Sequence, residues 1–147
     1  MQKETKTTHE ESVFLQAMVN VYFTHNWCND KMKQILAPYE VTPQQFNVLR
    51  ILRGQYPKPS TINLLKTRML DKMCDASRIV DRLVHKNFLV KDVNTYDKRA
   101  VDIVISEKGL ALLKKMDKEI DLSGILSPCL SPEEAAQLNA LLDKIKD

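Results

Sequence analysis

Residues 71–105, DKMCDASRIVDRLVHKNFLVKDVNTYDKRAVDIVI, decide how this chain is read. Ala76, Ile79, Val80, Leu83 and Val84 recur at the i, i+3, i+4, i+7, i+8 spacing of a single apolar stripe. The segment therefore predicts an α-helix with one face committed to a core. The opposite face holds Cys74, Asp75, Arg78, Asp81, Arg82 and His85, with Arg78 pointing most directly away from the stripe. Phe88 to Lys91 and Val101 to Ile105 read as two strands, the second with the alternation of a half-buried strand. The polar run between them, tipped by Tyr96-Asp97-Lys98-Arg99, makes the pair a basic hairpin.

A helix that buries one side, carries arginines on the other and runs into a basic hairpin suits the major groove of DNA, with a second contact beside it. The unit expected over 42–105 is a winged helix-turn-helix head. Upstream, Thr42-Pro43-Gln44-Gln45 is a helix start, with a capping threonine, proline at the first helical position and glutamine at the third. Phe46, Val48, Leu49 and Leu52 give that helix a buried face and Gly54 a stop. Ser60 is read as the cap of a third helix reaching about Met69, and Met69 to Met73 as the turn of the helix-turn-helix.

Outside the head, Thr8 and Glu11 have the form of a capping box. Phe14, Val21, Cys28 and Ile35, with Met18, His25 and Met32 between them, then keep a seven-residue rhythm in one long helix. Ser106 caps a helix carrying Leu110, Leu113 and Met116, and Ser131-Pro132-Glu133-Glu134 starts another to the C-terminus. These end segments, 8–37 and 106–147, have more apolar stripe than one small head can cover, so they are read as dimerisation helices. The fold class is mainly α with a small β-hairpin, organised as one domain over 1–147.

With 147 residues, 44% of them apolar, and only 3 glycines, the chain suits one mainly helical domain. Its net charge of +3 is modest, but Lys66 to Arg99 holds nine Lys/Arg against five Asp. All the positive excess thus lies where a polyanion is expected. The polar N-terminus and the lack of an apolar run of roughly 18–20 residues lead us to expect a cytoplasmic protein with no membrane contact. Cys28, Cys74 and Cys129 are widely spaced and odd in number, so free thiols are expected rather than disulfides or zinc ligands. His9, His25 and His85 lack partners at ligand spacing, and neither a metal, a cofactor nor an enzyme's nucleophile–base pair is expected.

Four patches in this order resemble the MarR family of bacterial winged-helix regulators, named for multiple-antibiotic-resistance control. They are Thr42-Pro43-Gln44-Gln45-Phe46-Asn47-Val48-Leu49, then Ser77-Arg78-Ile79-Val80-Asp81-Arg82-Leu83, Asp97-Lys98-Arg99-Ala100, and Ile105-Ser106-Glu107-Lys108-Gly109. The resemblance covers almost the whole chain. It implies that the helix bearing Ser77, Arg78 and Arg82 enters the major groove, and that Arg99 reaches the minor groove, held by a salt bridge from Asp97. Two departures from the family pattern stand out. Lys86-Asn87 replaces the usual glycine at the helix end, asparagine being the best non-glycine residue for a left-handed cap. Asp75 stands where a hydroxyl is common, and an acid there would repel phosphate.

The function expected is a homodimeric, sequence-specific double-stranded-DNA-binding regulator of transcription, a repressor released by a small-molecule effector and acting on a pseudo-palindromic site. Lys72, Lys91 and Lys98 are expected to add at most phosphate contacts. Tyr22, Trp27, Tyr39 and Phe46 could line a pocket for an aromatic effector, or simply form core and dimer seam. Cys74, placed near a helix N-terminus that would lower its pKa, is a redox candidate, with Cys28 a second. The rival functions are a winged-helix module that binds an acidic protein partner and a thiol-based redox switch.

Overall fold

The computed structural model describes residues 2–147, with side chains from Ser12 onward. Helices α1 (Gln2–Leu36), α2 (Pro43–Gln55), α3 (Ile62–Arg68) and α4 (Ala76–His85) are followed by strands β1 (Leu89–Val93) and β2 (Val101–Ile105), then α5 (Glu107–Glu119) and α6 (Pro132–Lys146). The two strands form an antiparallel hairpin, with Leu89 opposite Ile105 and Val93 opposite Val101. This is the mainly helical winged arrangement expected from the sequence. Among the described residues no helix is long and apolar enough to cross a membrane.

Helix α2 starts with the reciprocal cap its sequence announces. Gln45 N–H donates to Thr42 Oγ1 at 3.1 Å and Thr42 N–H donates to Gln45 Oε1 at 3.2 Å. It passes through Gly54 to Gln55, so that glycine lies inside the last turn and does not end the helix. The cap of α3 is Thr61, not Ser60: Leu64 N–H donates to Thr61 Oγ1 at 3.2 Å. Ser60 is buried and exchanges both backbone hydrogen bonds with Ile103, at 2.9 and 2.8 Å, which adds a one-residue third edge to the wing. Such a bridge leaves no periodic trace in sequence, whereas a serine before an apolar run looks like a cap.

The stripe of α4 packs as its spacing demands, with Ala76, Ile79, Val80 and Leu83 buried. Asp75 is the N-cap, its Oδ1 accepting the Arg78 N–H at 3.2 Å. Lys72 and Cys74 therefore lie in the preceding turn and not on the helix. At the far end Asn87 takes φ 66°, and the Asn87 and Phe88 amides donate to Val84 and Leu83 carbonyls at 2.9 and 3.0 Å. That is the paired bonding of a Schellman stop, made with asparagine in the glycine position. The chain then turns into β1, while Ser106 caps α5 through the Gly109 N–H at 3.0 Å.

The core gathers Val48, Leu49 and Leu52 of α2, Leu65 of α3, the α4 stripe, Ile103 and Ile105 of β2, and Leu113 and Met116 of α5. The chain ends are different. Phe14 is 79% and Ile145 72% exposed, Met18, Val21, Tyr22 and Phe23 are exposed too, and no residue of α6 is buried. Helix α1 already begins at Gln2, so the expected start at Thr8 and Glu11 is corrected: both lie inside the helix, and their side chains fall outside the described residues.

Candidate nucleic-acid interface

Three segments of the head carry the candidate residues: the turn from Met69 to Asp75, the polar face of α4, and the hairpin tip. The turn is fixed from α2. Leu70 N–H donates to Asn47 Oδ1 at 3.0 Å, Gln44 Nε2 to Asp71 Oδ2 at 3.1 Å, and Met73 N–H to Asp71 Oδ1 at 3.0 Å. These bonds fix the turn that leads directly into the N-terminus of α4.

Arg78 and Arg82 are exposed and, among the described residues, neither guanidinium has an ion-pair or hydrogen-bond partner. The acids beside them are occupied elsewhere. Asp75 caps the helix, and Asp81 pairs with Lys91 of β1 at 3.0 Å, tying wing to helix. The arginines edge a depression of about 280 Å³ that Thr42, Gln44 and Gln45 of α2 close on the other side. Ser77 lies exposed in the first turn of the same helix.

Lys72 has a structural task. Its ammonium donates to the Thr67 and Lys66 carbonyls at 2.6 and 3.3 Å, satisfying acceptors that the end of α3 leaves open. The wing tip is built by two side chains. Asn94 Oδ1 accepts the Tyr96 and Asp97 N–H groups at 2.8 and 2.9 Å, while its Nδ2 reaches Asp102 Oδ1 at 2.8 Å. Asp97 Oδ1 accepts the Arg99 backbone N–H at 3.0 Å. The Asp97–Arg99 salt bridge implied by the family resemblance does not form among the described residues. Asp97 orders the main chain instead, which leaves the Arg99 guanidinium and the Lys98 ammonium exposed and unpaired. Asn94 escaped the sequence reading, although an asparagine two residues before a turn is the usual signal for this bonding.

Cys74 is half-buried, and its thiol donates to the Asp71 carbonyl at 2.9 Å. Burial, then the charges of Asp71 and Asp75, push its pKa up, the reverse of the shift expected from a place on the helix end. Cys28 is half-buried on α1. The four aromatics do not come together within the chain. Phe46 is in the core, and Tyr39 donates its hydroxyl to Glu119. Tyr22 is exposed on α1, and Trp27 borders a shallow depression of about 490 Å³ with Phe23, Thr24, Asn26 and Asp30. Their even spread in sequence gave no sign of this separation.

No family model matches the chain. In sequence it is 29% identical over 116 residues to the multiple antibiotic resistance protein MarR of Escherichia coli strain K12, covering 78% of this chain and 79% of that protein. It is 25% identical over 119 residues to the HTH-type transcriptional regulator MhqR of Bacillus subtilis strain 168, covering 80% of each. In structure it matches a mutant MarR from E. coli complexed with operator DNA at a TM-score of 0.80 and 26% identity, over 90% of this chain and 94% of that one. In sequence and in fold, over most of both chains and around a head whose caps, turn and wing are built as described, this protein is similar to the MarR family of winged-helix transcriptional regulators.

Proposed function

We propose that this chain is a sequence-specific double-stranded-DNA-binding regulator that works in the cytoplasm as a homodimeric repressor. The observation that carries the reading is the pair of exposed, unpaired arginines on α4, a helix that the Asp81–Lys91 ion pair ties to the strand leading into the prefolded Arg99 tip. Each head would place α4 in the major groove, with Arg78 and Arg82 facing base edges and phosphates and Ser77 beside them, while Arg99 enters the adjacent minor groove. Lys98 adds a phosphate contact, and Lys72 and Asp97 support the surface through the backbone. The exposed apolar faces of α1 and α6 support a two-fold dimer, which presents two heads to half-sites about one helical turn apart. A small-molecule effector releases the DNA by changing the separation of the heads, so that both helices no longer fit successive grooves.

Selection of duplexes from a random pool tests this directly. A recovered palindrome is expected, with affinity falling steeply as salt rises. Arg78→Ala and Arg99→Ala should each weaken binding to that duplex while leaving dimer and melting temperature unchanged. Recovery of no duplex, or parent-like binding by both variants, would overturn the reading.

A further inference from the structure

Tyr96 is 99% exposed, more than any other large apolar or aromatic side chain among the described residues. Its ring has no ring contact and its hydroxyl no hydrogen bond there, so the fold makes no use of the side chain. Yet its backbone is held firmly. Asn94 accepts its N–H and that of Asp97, Asn94 also reaches across to Asp102, and Asp97 takes the Arg99 N–H. The tip keeps its shape before any partner arrives, and the ring is displayed beside the unpaired cations Lys98 and Arg99.

An aromatic ring with charged neighbours fits a ligand that has an anionic rim and a less polar interior. The minor groove has that chemistry, with phosphates along its edges and deoxyribose walls between them. Resting on the DNA-binding reading above, we infer that Tyr96 is an apolar contact of the wing, its ring laid against a sugar wall while Arg99 meets the base edges. A ring of fixed thickness fits best where the walls close on it. Tyr96 would thereby make binding respond to groove width, and so favour A·T pairs under each wing without a hydrogen bond to any base.

The test is a titration by fluorescence anisotropy of the parent, Tyr96→Ala, Tyr96→Phe and Arg99→Ala against the duplex that the parent selects, repeated over a salt series. Tyr96→Ala should bind about tenfold more weakly, as expected for partial burial of one aromatic side chain. The slope of log affinity against log salt should stay that of the parent, because no phosphate contact is lost. Tyr96→Phe should bind as the parent does, and Arg99→Ala should lower the slope by about one. Exchanging the A·T pairs under the wing for G·C should cost the parent more than it costs Tyr96→Ala. Parent-like binding by Tyr96→Ala overturns the inference, as does a Tyr96→Phe variant as weak as Tyr96→Ala, which would move the contact to the hydroxyl. A change in the monomer–dimer balance of Tyr96→Ala also overturns it, by making the ring a protein contact. If the parent retains no duplex at all, the DNA-binding reading falls and this inference with it.

Discussion

Gly109 shows how tightly the head is joined. A Cβ built there would stand 2.5 Å from the Phe88 carbonyl oxygen and 2.7 Å from Ile105 Cγ1, so any side chain forces α5 away from the hairpin. Gly109→Ala should cost about 1–3 kcal/mol by overpacking, read as a lower urea midpoint at unchanged slope. Asn87 makes a smaller demand. At φ 66° it sits where an ordinary side chain is strained, and Asn87→Ala should cost about 1 kcal/mol while Asn87→Gly should not destabilise. For Cys74 the same local reading predicts inertness. With its thiol pKa raised by burial and two carboxylates, iodoacetamide at neutral pH should label exposed Cys129 well before Cys74, as peptide mass spectrometry can follow.

Among the elements, the wing carries a built-in repulsion. Asp92 lies directly opposite Asp102 in the hairpin register. Like charges in that position oppose pairing, so Asp92→Thr should stabilise the protein by about 0.2–1 kcal/mol and, by removing a negative charge near the phosphates, tighten DNA binding at low salt. Helix α6 has a pH-dependent start. The Ser131 N–H, and secondly its hydroxyl, hold the Glu134 carboxyl below its ordinary pKa. Because the folded value is depressed, this cap contributes fully above the ordinary carboxylate pKa and fades as pH falls through the folded value. Glu134→Gln keeps a capping side chain without the titration, and should flatten the acid limb of the helicity profile measured by circular dichroism. The helix starts at Thr42, Ser106 and Ser131 were legible in sequence because a cap is a local pattern. Asp75 was not read as a cap, since the polar run before it extended the helical pattern beyond its true start.

At the scale of the molecule, the exposed apolar faces of α1 and α6 demand cover. Phe14, Met18, Val21 and Phe23 on α1 and Leu141 and Ile145 on α6 are too extensive a surface to leave in water, and a second copy is the economical cover. A Phe14→Glu, Leu141→Glu double variant should elute as a monomer in size-exclusion chromatography with light scattering. It should also lose operator affinity far more than either arginine variant, because a single head has only one half-site to hold. A variant that stays dimeric would show that other surfaces join the copies.

The order of elements, the buried stripe of α4, the caps at Thr42, Ser106 and Ser131 and the asparagine stop were determined by the sequence alone, since each depends on residues within a few positions of one another. Three things were decided only by tertiary structure: the Ser60–Ile103 bridge, the commitment of Lys72 and Asp81 to the fold, and the dispersal of Tyr22, Trp27, Tyr39 and Phe46. The reason is physical. A hydrogen bond, an ion pair or a pocket depends on which surfaces the packed core brings within a few ångströms, and spacing along the chain does not encode that distance. The arginine face of α4 was thus foreseeable, but which of its charges remain unpaired among the described residues was settled by the neighbours that folding supplied.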